Sequence, residues 1–115
     1  MLNELVNKCY GDSLAAGWWN DVDVNNPYIV ATKLCLIHSE ISEAMEGHRK
    51  NLVDEKLPHR KAVEVELADA IIRICDLAGA MKLDLGGAVS EKLEYNKIRA
   101  DHKLENRAKE NGKTY

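Results

Sequence analysis

Four carboxylates stand in two short pairs, Glu40-Ile41-Ser42-Glu43 and Glu66-Leu67-Ala68-Asp69, each set within an apolar helical pattern. Residues at i and i+3 lie on the same side of a helix, so each pair presents two carboxylates together. Two such helices packed antiparallel, with the pairs turned toward one another, would gather as many as four negative charges in a small volume. That cluster needs a counter-ion. Hard divalent cations take oxygen ligands, and Mg2+ in particular is held by a few carboxylates together with waters and substrate phosphates. The chemistry implied is metal-assisted attack on a phosphate ester or anhydride. The competing reading is two solvated helix faces in a chain that is 30% charged. Against it, the pairs flank apolar stripes, where half-buried carboxylates would be costly to leave unpaired.

The elements that must position these groups follow from periodicity. Leu2, Leu5, Val6 and Cys9 predict a first helix over about residues 2–16, up to Gly17-Trp18-Trp19. The next segment, Asn20 to Asn26, reads as a loop. Its Asp21-x-Asp23-x-Asn25 spacing is similar to the opening of a calcium loop, but Asn26 stands where glycine is required and Thr32 where the closing glutamate belongs, which excludes it. Asn26-Pro27 reads instead as an N-cap followed by the first helical residue. Helix two then runs to about Lys50, with Val30, Leu34, Ile37, Ile41 and Ala44 as its apolar stripe. After a polar connection over 51–58, helix three runs from about His59 to Met81 and carries Val63, Leu67, Ala70, Ile71, Ile74 and Ala78. Glu66, Asp69, Arg73 and Asp76 trace a second stripe beside it, in which Asp69 and Arg73 could simply form an i,i+4 ion pair. Asp84 is a plausible N-cap for helix four, which continues through Ile98 although Gly86 and Gly87 weaken its first turn. No strand pattern competes, so the expected class is an all-α four-helix bundle.

At 115 residues the chain has the size of one domain, 1–115, with a flexible tail expected over 103–115. The net charge of −3 and the mixing of signs argue against a nucleic-acid surface, which would show a basic patch. Cys9, Cys35 and Cys75 include no CxxC pair, so neither a disulfide framework nor a zinc knuckle is indicated, and reduced thiols fit the cytoplasm. No uninterrupted apolar run approaches the ~18 residues of a membrane span. His38 and His48 lie near the first acidic pair but read as packing or surface residues. A di-iron carboxylate bundle is excluded, because none of His38, His48, His59 or His102 has a glutamate three residues before it.

Glu40-x-x-Glu43, then 22 residues, then Glu66-x-x-Asp69, resembles the signature of the all-α nucleoside triphosphate pyrophosphohydrolases. That MazG-like superfamily includes the dimeric dUTPases and the dCTP pyrophosphatases. A second block, Lys92-x-x-x-Asn96-x-x-Arg99, is similar to the phosphate-side motif of MazG-like members. The resemblance spans roughly residues 16–100. It implies an oligomeric four-helix fold, a homodimer or homotetramer with its sites near subunit contacts. The reaction would hydrolyse a nucleoside triphosphate, a deoxynucleotide foremost, to the monophosphate and pyrophosphate. Mg2+, with Mn2+ as a substitute, would sit on Glu40, Glu43, Glu66 and Asp69. The catalytic assignments are Glu40 as water-activating base, Glu43, and Lys92; Lys92, Asn96 and Arg99 would bind phosphate oxygens. Trp18 and Trp19 lie where a ring could stack on the base. Trp19 is preferred, since dCTP pyrophosphatases carry a tryptophan in a comparable position. Lys113 could fold over a neighbour's phosphates. The compact size looks like stand-alone MazG-like proteins, including those phages carry into the host cytoplasm. A phosphoribosyl-ATP pyrophosphatase and a non-catalytic helical interaction module are the alternatives.

Overall fold

The computed structural model describes residues 1–99, 108 and 112. Four helices lie among them: α1 Leu2–Ala15, α2 Pro27–Arg49, α3 Ala62–Ala80 and α4 Leu85–Ile98. The class is therefore all-α; among the described residues the sole β feature is an isolated antiparallel bridge between Val53 and Lys61. The chain divides into two compact units, 1–83 and 84–115. The tail expected to be flexible, 103–115 with Lys113, lies outside the described residues apart from Ala108 and Gly112. No described helix is long and apolar enough to cross a membrane.

In the first unit the helix boundaries follow local chemistry. Asn26 caps α2 as the sequence predicts, its side chain accepting the Tyr28 N–H, and Pro27 occupies the first turn. Three helices stop in the same way. After each C-cap comes a left-handed residue, Gly17 (φ 86°), Asn51 (φ 51°) or Lys82 (φ 57°). Its N–H and the next one bond back to carbonyls of the last turn, as in Trp18 N–H to Ser13 O and Leu83 N–H to Ala78 O. Helix α3 starts three residues later than the apolar pattern predicts. Asp54 accepts the Lys56 and Leu57 N–H groups, and the Val53–Lys61 bridge holds His59 and Arg60 in that turn. Glu64 then reaches back to the Lys61 N–H and begins the helix.

Helix α3 packs against both α1 and α2. Its buried residues, Ala70, Cys75, Leu77, Ala78 and Ala80, are mostly small, which lets the neighbouring backbones approach. At Gly79 an added Cβ would lie 2.5 Å from the Tyr10 Cβ of α1, so only glycine fits this crossing. Around it, Trp19, Leu77 and Ala80 form a buried cluster against which Tyr10, Val22 and Ile37 pack. The predicted apolar stripes are only half buried. Ala44, Ala70 and Ala78 lie inside, whereas Leu34, Ile41, Leu67 and Ile71 are each 46–49% exposed. The alanines of each stripe are buried and Ile37 packs against the cluster, while these four large members face outward.

The second unit contributes α4, whose N-cap is Asp84 as predicted; its side chain accepts the Gly87 N–H at 2.9 Å. No α4 residue is buried.

Candidate functional site

Helices α2 and α3 bring Glu40, Glu43 and Glu66 to one place, with one carboxylate oxygen of each within 4.8 Å of the others. Glu40 is 8% exposed, the one buried charged residue in the described core. Glu66 is half-buried and Glu43 exposed. Asp69, one turn along α3 from Glu66, does not join the three within that distance. The carboxylates settle their mutual repulsion by sharing a proton. Burial, then hydrogen bonds to Glu40 and Glu43 and their charges, push Glu66 up to about 8. Burial also raises Glu40, but its hydrogen bonds with Arg73, Glu66 and Glu43 outweigh it and hold that carboxyl below its ordinary range. Asp69 is raised, first by burial and then by the charge of Glu40.

Arg73 supplies the neutralising charge. Its Nε donates to Glu40 Oε1 at 2.8 Å, from α3 to α2. The sequence allowed an ion pair with Asp69 along the helix. In the fold, Arg73 instead reaches across to the buried Glu40, because a buried carboxylate has the greater need of a partner.

Two hollows flank the carboxylates. The larger, about 720 Å³, is lined by Glu40, Asp69, Arg73, Asp76, Trp18 and Lys33, among others. The second, about 560 Å³, is lined by Glu43, Glu66, Asp69 and the 52–57 loop. Asp69 borders both. Either volume falls in the range of small-molecule sites.

The tryptophan pair separates. Trp18 is 71% exposed and lines the larger hollow. Trp19 is 9% exposed; its ring meets Tyr10 edge-on with centroids 6.1 Å apart, and Lys33 Nζ lies 4.7 Å from its centroid. Its Nε1–H donates to Asp76 Oδ1 at 2.8 Å, and the Ser13 hydroxyl donates to Oδ2 of the same carboxylate at 3.0 Å. Lys92, Asn96 and Arg99 belong to the second unit. They recur along α4 and its C-cap, with Lys92 Nζ 4.7 Å from the Tyr95 ring centroid and the Asn96 side chain half-buried. Sequence reasoning placed Asp76 on the polar stripe without a role and passed over Ser13 and Lys33. Neither of those two sits in a pattern that would single it out.

No protein-family model, curated protein or solved structure matches the chain.

Proposed function

We propose that the chain is a Mg2+-dependent pyrophosphohydrolase acting on a nucleoside triphosphate, releasing the monophosphate and pyrophosphate. The observation that carries this reading is the convergence of Glu40, Glu43 and Glu66 between two hollows of ligand size. A set of oxygen donors so close that one holds a proton to about 8 is short of positive charge, and its hardness suits Mg2+ or Mn2+. Glu40, Glu43 and Glu66 would hold the ion, with Asp69 reaching it from the side that borders both hollows. When bound, the ion would offset triphosphate charge and favour an in-line water.

The protein's own groups then divide the work. Arg73 keeps Glu40 ionised and fixed, which makes Glu40 an anchor and a weak base. Glu43, exposed to solvent, takes the water-activating role that the sequence had placed on Glu40. For Lys92, Asn96 and Arg99, in the second unit, the resemblance implies binding of phosphate oxygens, with Lys92 acting as pyrophosphate departs. Trp18 offers an exposed ring for base stacking. The exposed Leu34, Ile41, Leu67 and Ile71 favour a homodimer or homotetramer, in which a second copy covers them.

Those same exposed side chains, with Glu40 already paired to Arg73, favour a second reading, a non-catalytic helical interaction module. One experiment separates the two. Purified protein is incubated with Mg2+ and a panel of ribo- and deoxynucleoside triphosphates, and pyrophosphate is measured against orthophosphate. The proposal expects pyrophosphate and monophosphate in equal amounts. Nucleoside diphosphate with orthophosphate would refute attack at the α-phosphorus, and no turnover of any nucleotide would leave the interaction module.

A further inference from the structure

We infer that Asp76 reads the edge of the nucleotide base and selects bases that carry an exocyclic amino group over uracil and thymine. The inference rests on the pyrophosphohydrolase reading for the placement of the phosphates. Asp76 follows Asp69 by seven residues on α3, two turns along one face and about 10 Å along the axis. Both line the 720 Å³ hollow, with Arg73 between them. A nucleoside spans a comparable length from its 5′ oxygen to the far edge of its base. A triphosphate held at the Glu40–Asp69 end would therefore extend its base toward Asp76, alongside the exposed Trp18 ring that lines the same hollow.

The carboxylate is set for reading. Trp19 Nε1–H and the Ser13 hydroxyl each occupy one oxygen, at 2.8 and 3.0 Å, and so fix its plane from two different elements. A carboxylate has about four acceptor sites, so two remain once these donors are placed, and the group is only half-buried at the wall of the hollow. Because both oxygens accept, what they can still recognise is a donor. Cytosine and adenine carry an amino group where uracil and thymine carry the O4 carbonyl, and guanine presents its amino group elsewhere, beside its ring N–H. Against Asp76 that carbonyl meets a second acceptor, and the single N3–H of uracil is flanked by two such oxygens. A site built to hydrogen-bond one group discriminates against the analogue lacking it.

The competing account is that Asp76 only ties α1 and the Trp19 turn to α3. A bracket of that kind would affect all nucleotides alike. The deciding readout is thus a ratio: kcat/KM for dCTP against dUTP, and in parallel the Kd of dCMP against dUMP by titration calorimetry with Mg2+ present. For the unmodified protein we expect a preference for the amino base of about ten-fold or more in both. Asp76→Asn preserves size and can still accept from Trp19 through its carbonyl oxygen, but it turns an amide donor to the hollow. It should cut the ratio by about ten-fold or reverse it. Equal use of dCTP and dUTP by the unmodified protein overturns the inference whatever the variant does. So does an Asp76→Asn protein that is folded, by its melting curve, and has an unchanged ratio. Tighter dCMP than dUMP binding without any turnover would support Asp76 while defeating the hydrolase reading; no binding and no turnover would overturn both.

Discussion

The polar stripe of α3 meets two different surroundings at its two ends. Toward the N-terminus, Glu66 faces Glu40 and Glu43, and the charge is relieved by a retained proton and by Arg73. Toward the C-terminus, Asp76 faces neutral donors, the indole of Trp19 and the hydroxyl of Ser13. Residues of one chemical type, on one face of one helix, are thus short of positive charge at one end and hydrogen-bonded in place at the other. The difference separates a place suited to a cation from one suited to holding a carboxylate still.

The largest effect expected from breaking this contrast is at the crowded end. Glu66→Ala should lower pyrophosphate release by at least about a hundred-fold, if the cluster holds the metal on which turnover depends. The same change relieves repulsion, so melting of the metal-free variant should occur at the same temperature or higher. Near-normal turnover by a folded Glu66→Ala protein would sink the metal assignment.

At the opposite end the dominant effect is on stability. Trp19→Ala empties a buried ring site and leaves Asp76 without its indole donor, at a cost of about 3–5 kcal/mol by denaturant unfolding. A variant of unchanged stability whose Michaelis constant rises for every base would instead make Trp19 the stacking residue expected from the sequence.

A pH series sharpens the comparison without mutation. Glu66 is raised from an ordinary 4.5 to about 8, so its contribution to metal-free stability is fully present below about 4.5 and is lost as pH rises to about 8. The melting temperature without metal should fall across that window. Added Mg2+ should restore it more at pH 8 than at pH 5, since the ion and the proton compete for one carboxylate. Glu66→Gln should flatten both curves; an unaltered pH dependence would place the proton elsewhere.

The smallest effect belongs to Ser13→Ala. It removes one of two donors from a half-buried carboxylate and should cost about 1 kcal/mol. The Mg2+ dependence of melting should be untouched, because the hydroxyl serves only the Asp76 end. A shift in that dependence would mean that the two ends of the stripe are coupled.

Much of this arrangement was legible before any fold was known. The Asn26-Pro27 start of α2, the Asp84 cap of α4 and the placing of Glu40, Glu43, Glu66 and Asp69 on two helices all depend on local rules of capping and periodicity. The apolar pattern places the start of α3 three residues early, because the bridge from Val53 to Lys61 is a pairing eight residues apart that helical periodicity does not register. Periodicity did identify the apolar stripes, yet not which members touch a neighbour, and in the fold the alanines do so while Leu34, Ile41, Leu67 and Ile71 stay exposed.

The sequence by itself determined which side chains share a helix face, because a 3.6-residue repeat is a property of the backbone alone. Only the tertiary structure decided what each face meets. It turned Arg73 toward Glu40, drew Glu66 into the cluster while leaving Asp69 beside it, buried Trp19 and exposed Trp18. Those outcomes depend on how closely two helices approach. Here that closeness is set by small residues such as Gly79, whose missing Cβ makes room for Tyr10 and which no motif marks in advance.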